Sequence, residues 1–399
     1  MKVALVHDHL AQDGGAEKVL RALADLYPEA PIYTLLYDKK NVDKYFRGRQ
    51  IDTSIIQKLP GGIKHYQWYM PFMPMAVEFF DLRSYDLVIS DASAFAKGVI
   101  TSPDTLHICY CHTPTRYVWD YTHQYINELD YNKYLKKVIS LVLNYIRLWD
   151  KAAADRVDLF IANSATVKRR IAKYYKRSAD VIYPPVETGQ FRPAAQAGDY
   201  YLIGGRLAPY KRVDIAIEAC MMLGARLKIF GDGVDLKRLK RIAGGSALIE
   251  FLGRVDDAAK TELYRHCRAF LNPQEEDFGI TPLEAMAAGR PVIAYRGGGA
   301  LETVLEGQTG VFFDTQDEQG LIEAVRAFKP EDFKPDILRR HAQKFDVGAF
   351  KVNFKELVAT EWQKYRDAHM AGVWPYSPVT YGRDDRYISM QGGGGKREG

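Results

Sequence analysis

The chain has 399 residues, 47% of them hydrophobic, and 55 lysines and arginines stand against 50 aspartates and glutamates. That length favours two domains with separate cores over one oversized domain, and a net charge of +5 suits an anionic substrate or membrane surface without by itself indicating nucleic acid. Four cysteines, no zinc-spaced Cys/His cluster, no nucleophile elbow, no run of eighteen apolar residues and no long apolar signal region at the start exclude a disulfide scaffold, a zinc protein and a membrane-spanning chain, so a cytoplasmic protein is expected.

Residues 2–6 form a short aliphatic run, followed by Asp13-Gly14-Gly15-Ala16-Glu17 and by helical apolar spacing over 18–27. This is a β-loop-α unit in which Gly14 and Gly15 let a phosphate or sugar approach the backbone, or serve the turn geometry alone. No G-x-G-x-x-G accompanies them. Apolar runs follow at 31–36, 87–90, 106–111 and 159–164, and Cys109 and Cys111 in the third read as reduced core residues, like Cys220 and Cys267 later. Such strands separated by helical patterns predict a parallel sheet covered on both faces, with ligands beyond the strand C-termini. His112 stands at one of those ends, ahead of Thr113-Pro114-Thr115-Arg116-Tyr117-Val118-Trp119-Asp120. A lone histidine is more often structural, and this placement alone raises it above that reading. Two segments, 66–75 and 134–149, are rich in aromatics, and the second mixes helical apolar spacing with cations. Core packing is the preferred reading of both; a membrane surface or an acceptor groove is the other.

The Pro184-Pro185 pair marks a boundary, giving domains at 1–184 and 185–345. The second opens with a strand at 200–204 that enters Gly205-Arg206-Leu207-Ala208-Pro209-Tyr210-Lys211-Arg212 before a helix at 213–222. Cations at a helix start oppose the macrodipole unless an anion binds there, and Arg206 with Lys211 suits a diphosphate; taken alone, the pair would read as solvated loop cations. Further β/α units end in Gly231-Asp232-Gly233 and in Gly253-Arg254-Val255-Asp256-Asp257. Next comes Glu276-Asp277-Phe278-Gly279-Ile280-Thr281-Pro282-Leu283-Glu284, between a strand near 269–273 and another at 292–295. Thr281 as N-cap, Pro282 at the first helical position and Glu284 three residues after the cap predict a capping box, and free N–H groups at Gly279, Ile280 and Thr281 offer a phosphate site. Gly297-Gly298-Gly299 is a further glycine turn feeding a helix. A helix is expected over 346–370, and a flexible tail without catalytic residues over 371–399.

Taken together, Gly14-Gly15, His112, Arg206 with Lys211, and Glu276 with Glu284 resemble the retaining glycosyltransferases of family 4 over nearly the whole chain. The most specific part is Glu-x7-Glu in its Phe-Gly-Ile setting, followed by Gly-Arg-Leu-x-x-x-Lys; the run Cys111-His112-Thr113-Pro114 with Arg116-Tyr117 and Trp119-Asp120 is similar to bacterial polysaccharide mannosyltransferases in particular. The resemblance implies an α/β protein of the GT-B fold. Two Rossmann-like domains with parallel sheets would face each other, the first binding acceptor and the second nucleotide sugar, with the last helix returning to the first domain. It implies that Arg206 and Lys211 hold the donor diphosphate, helped by backbone at Gly14, Gly15, Gly279, Ile280 and Thr281. Glu284 would bind the ribose hydroxyls, Glu276 the transferred sugar, and His112 the sugar near the reacting carbon, so that His112, Glu276, Arg206 and Lys211 form the catalytic set. Val255 and Asp257 would meet the base, Asp257 as a guanine acceptor.

The implied reaction moves a hexose, mannose from GDP-mannose, onto a glycan or polyprenyl-diphosphate-linked acceptor in cell-surface polysaccharide synthesis. Attack would come from the front face, with the donor phosphate taking the acceptor proton. No Asp-x-Asp follows a strand, so no metal or other cofactor is expected beyond the nucleotide-sugar substrate. Peripheral contact with the anionic inner face of the cell membrane is expected, and no nucleic acid. The readings left beside this one are a GT-B epimerase or sugar-phosphate synthase, and a non-catalytic membrane or nucleic-acid binding protein.

Overall fold

The computed structural model describes residues 1–376 apart from Asp13, Asp130, Ala195 and Trp374; the expected tail from residue 377 onward lies outside the described residues. Seven strands, β1 (Val3–His7), β2 (Ile32–Thr34), β3 (Ile51–Thr53), β4 (Leu87–Ala92), β5 (Leu106–Cys111), β6 (Leu159–Ala162) and β7 (Asp180–Val181), form one parallel sheet in the order β3-β2-β1-β4-β5-β6-β7. A second parallel sheet holds β8 (Tyr200–Arg206), β9 (Arg226–Asp232), β10 (Ile249–Gly253), β11 (Phe270–Asn272), β12 (Val292–Tyr295) and β13 (Gly310–Phe313) in the order β10-β9-β8-β11-β12-β13. The fold is therefore two doubly wound α/β units, as expected. Three short strands, β3, β7 and β13, were not anticipated.

Burial on both faces explains the near-continuous apolar runs. In β4, Leu87 and Ile89 pack into one cluster and Val88 into the other; in β5, Ile108 and Tyr110 face one side and Cys109 and Cys111 the opposite one. Alternation along a pleated strand sorts them without any polar face. All four cysteines are buried and free. The last helix, Val347–Met370, sets Phe350, Phe354, Val358 and Tyr365 into the cluster of Leu5, Ile89 and Tyr110, so the chain returns from the second sheet to the first. Its entry runs beside the Pro184-Pro185 connection: Val186 N–H donates to Phe345 O at 2.9 Å and Val347 N–H to Val186 O at 3.1 Å.

The core reading of the aromatic segments needs correction. Within helix Lys133–Asp155, Leu143 and Ile146 are buried, but Tyr134, Val138, Leu141, Tyr145 and Leu148 lie exposed on the other side; Trp68 and Phe72 in the earlier segment are also exposed.

In each sheet the strand order reverses once, between β1 and β4 and between β8 and β11. Connections leave in opposite directions there, which opens a crevice at the strand C-termini.

Candidate active site

At the first reversal β1 and β4 pair in the register His7↔Asp91, and Ala92 lies opposite Cys111 of β5. Since His112 follows β5, strand pairing alone aligns His7, Asp91 and His112 at three adjacent strand ends. The buried Asp91 sits between both rings, Oδ2 2.9 Å from His7 Nδ1 and Oδ1 2.6 Å from His112 Nε2. Glu17 Oε1 lies 3.9 Å from His7 Nε2. Burial alone would lower the pKa of His7, but hydrogen bonds and charge from Asp91 and Glu17 raise it to about 10, so the ring is charged at neutral pH. Burial would likewise raise Asp91, and the His112 and His7 rings hold its carboxylate below the ordinary range.

Glu17 belongs to helix Gly15–Leu26, whose N-cap is Gly14. Gly14 N–H donates to Glu17 Oε2 at 2.9 Å, so this group is turned into the helix's own first turn and away from a ligand. Gly15 stands against the other domain: a Cβ there would come within 3.2 Å of Ile280 Cδ1. Helices Gly15–Leu26 and Ile280–Ala287 thus begin opposite one another across the crevice.

At the second reversal β8 ends in Arg206, which is exposed and donates across the crevice to Gln12 Oε1 at 2.7 Å. Pro209–Lys211 form a 3-10 turn and Arg212, with φ of 48°, is the N-cap of helix Val213–Leu223, so Lys211 and Arg212 stand at the positive end of that helix as expected. Lys211 Nζ contacts the Glu276 carboxylate, and Gln274 Nε2 ties Glu276 Oε1 at 2.8 Å to Asn272 Oδ1 at 2.7 Å. Burial is the largest influence on Lys211 and pushes its pKa down; Arg206 and Arg116 push the same way, and the Asp277 carboxylate opposes them. Arg206, Lys211 and Arg116 thus stand against Glu276 and Asp277 here.

Two glycines make the Glu276 loop what it is. Gly279, with φ of 98°, is the N-cap of helix Ile280–Ala287. Gly298 lies beneath the loop, where a Cβ would fall 2.2 Å from Glu276 O, and Gly299 N–H donates to that same oxygen at 2.8 Å. Thr281 is consequently inside the helix and not its cap, and Glu284 forms no capping box. Glu284 is buried and accepts from Lys18 Nζ of the first domain at 2.8 Å, Tyr264 OH at 3.0 Å and Lys260 Nζ at 3.4 Å. Burial opposes its charge, but Lys18 and Lys260 hold its pKa below the usual value. Asp257 opens helix Asp257–His266, is exposed and lies 3.6 Å from Lys260, which links it to Glu284; Val255 packs half-buried on the second core.

Strand ends and helix starts thus bring Gly15, His112, Arg206, Lys211, Glu276, Gly279, Ile280 and Glu284, all singled out from the sequence, to the crevice, whereas Val255 packs on the second core. Those missed are His7, Glu17, Lys18, Asp91, Lys260, Tyr264 and Gln274. None carries a local signal except Glu17, whose position three after Gly14 suits an acidic first-turn residue. The crevice is further pinned by Glu302, which accepts from Ala165 N at 2.7 Å and Thr166 N at 3.1 Å, and by Arg170, which meets Asp277 and, at 3.2 Å, Asp120. Two facing helix starts stand beside Arg206 and Lys211, and dipoles and cations arranged in this way are of the kind that can stabilise negative charge on a phosphate.

Residues 13–190 match the family model described as Glycosyltransferase Family 4, and residues 190–345 match Glycosyl transferases group 1. Alpha-1,3/1,6-mannosyltransferase ALG2 of Dictyostelium discoideum is 24% identical over 375 residues, covering 78% of this chain and 85% of that protein. The GDP-mannose-dependent alpha-(1-6)-phosphatidylinositol monomannoside mannosyltransferase of Mycobacterium tuberculosis is 30% identical over 201 residues, covering 43% of this chain and 52% of that protein. Among solved structures, Anabaena Alr3699/HepE in complex with UDP and glucose superposes with a TM-score of 0.68 at 19% identity, over 90% of this chain and 99% of that one. Sucrose-phosphate synthase from Thermosynechococcus elongatus gives 0.68 at 16% identity, over 93% and 100%.

Proposed function

We propose, from the premise that this chain belongs to the family 4 glycosyltransferases and has the GT-B fold, that it transfers mannose from GDP-mannose to a glycan or polyprenyl-diphosphate-linked acceptor in cell-surface polysaccharide synthesis. The observation that carries the reading is the convergence of Arg206, Lys211 and two opposed helix starts on the crevice between the sheets. The mannosyl assignment draws support from relatives that are themselves mannosyltransferases, one of them GDP-mannose-dependent.

In this reading the donor diphosphate lies between the starts of the Gly15 and Ile280 helices. Arg206 and Lys211 neutralise it, and their fixed charge stabilises the leaving group as the glycosidic bond breaks. Diphosphate binding offsets the local cation excess and frees Glu276 from Lys211 to accept from the sugar hydroxyls. Glu284 takes the ribose hydroxyls once Lys18 gives way, and Asp257 accepts from guanine. His112, held by Asp91, sets the sugar face near the reacting carbon. Configuration is retained through front-face attack, with the donor phosphate oxygen accepting the acceptor proton, and no metal is required.

Among the described residues no helix is long and apolar enough to cross a membrane. Work on a lipid-linked acceptor would therefore place the enzyme peripherally on the inner membrane face. Calorimetry with GDP, UDP and ADP tests the donor assignment: GDP should bind about tenfold or more tightly than the others, a difference of about 1.4 kcal/mol. Equal affinities, or a preference for UDP, would overturn it.

A further inference from the structure

Helix Lys133–Asp155 has two apolar faces. The inner one carries Leu143 and Ile146 into the core, while the outer one carries Tyr134, Val138, Leu141, Tyr145 and Leu148, spaced four and three residues apart along one stripe. Leu141 is 73% exposed and Leu148 68%. Beside it, the 3-10 turn Tyr66–Phe72 and the short helix Met73–Glu78 that follows leave Trp68, Phe72, Met75 and Phe79 exposed, Trp68 at 68% and Phe79 at 70%. The two elements meet where Trp149 Nε1 donates to Glu78 Oε1 at 2.8 Å, between Leu148 of one stripe and Phe79 of the other. Large apolar groups exposed side by side in this way mark an interaction surface more often than they stand free in water.

Charge selects the partner. No aspartate or glutamate occurs from residue 133 to 149, and the one carboxylate between Thr53 and Phe79, Glu78, is held by Trp149 and Arg156; Lys133, Lys136 and Lys137 flank the first stripe, and Lys58 and Lys64 precede the second. A second copy of the chain would bring like charges together. An anionic lipid surface would receive both the cations and the apolar stripe, with tyrosines at the level of the headgroups. Ile55, Ile56, Leu59, Tyr69, Phe72 and Met75 also line a cleft of about 210 Å³ without a charged group, open to an acyl chain.

We propose that the outer face of helix Lys133–Asp155, together with the Trp68–Phe79 stripe, seats this protein on an anionic bilayer. The assignment deepens the peripheral placement offered above and stands apart from donor chemistry. It also orients the molecule, since the first sheet bearing His112 belongs to the same domain as the lipid face.

Vesicle flotation of the full chain tests it, using phosphatidylcholine alone and phosphatidylcholine with roughly one third phosphatidylglycerol. Binding is expected to the anionic vesicles only, and to weaken with salt. The triple variant Val138→Ser, Leu141→Ser, Leu148→Ser should lose it about tenfold or more while GDP affinity and thermal unfolding stay at wild-type values; Leu141→Ser alone should show a smaller loss in the same direction. Lys133→Gln with Lys137→Gln should reduce both binding and its salt dependence. Unchanged binding in the triple variant, equal binding to neutral vesicles, or a dimer abolished by the same substitutions would overturn the proposal. Nucleotide affinity is read on the same samples, so a failure of the donor reading shows separately.

Discussion

Asp91→Asn probes the buried ionic row that strand register creates at His7, Asp91 and His112. In the native protein the imidazolium of His7 is held by Asp91 at 2.9 Å and more distantly by Glu17. The net rise of the His7 pKa from 6.5 to about 10 corresponds to roughly 5 kcal/mol, left after burial has opposed the hydrogen bonds and charges of Asp91 and Glu17. An asparagine oxygen can accept from one ring but brings no charge, so about 2–3 kcal/mol of stability should disappear at neutral pH. The sign follows from the raised pKa. The contribution is complete below pH 6.5 and is lost as pH rises through about 10, where native His7 gives up its proton. Urea unfolding of both proteins, followed by circular dichroism from pH 6 to 11, should therefore show a gap that is full at pH 6 and closes near pH 10. A gap constant across that range, or absent at pH 7, would refute the assignment of the charge to His7. Transfer should fall in the same variant by about a hundredfold, because His112 loses the partner that fixes its ring.

Three further outcomes follow from the crevice. Glu276→Gln should slow transfer by about a hundredfold or more while shifting the urea midpoint little, since the amide still accepts from Gln274; an unfolded variant would make Glu276 structural. Gly298→Ala would drive a methyl to 2.2 Å from Glu276 O at a φ of 56°, which should cost about 2–3 kcal/mol in urea unfolding and weaken GDP binding with it. Transfer should persist after exhaustive chelation, because Arg206, Lys211 and the helix starts supply the charge; a rate restored only by added divalent cation would contradict this.

The fold was legible where burial on both faces produces unbroken apolar runs, as in Leu106–Cys111, and where glycines and prolines punctuate the turns. It was not legible at β3 and β13, which lie at sheet edges and are short, nor at the two-residue β7. The Glu276–Glu284 stretch was found by its local pattern, yet the same pattern misassigned Glu284. Thr-Pro-x-Glu reads locally as a cap, and the interaction that prevails comes from Lys18, 266 residues earlier in the chain. His7 and Asp91 were missed for the same reason, since their meeting depends on which strands pair and in what register. Helix Lys133–Asp155 shows a different limit: periodicity reveals that a helix has apolar faces, but with two of them it does not tell which one is covered.

Turnover of GDP-mannose by wild-type, Arg206→Ala and Lys211→Ala protein tests the central claim most directly. The account expects slow donor hydrolysis in the wild type, accelerated transfer when acceptor is added, and a loss of about a hundredfold or more in each variant with folding intact. Donor turnover at the wild-type rate in both variants would show that the cations at the second crevice do not hold the diphosphate.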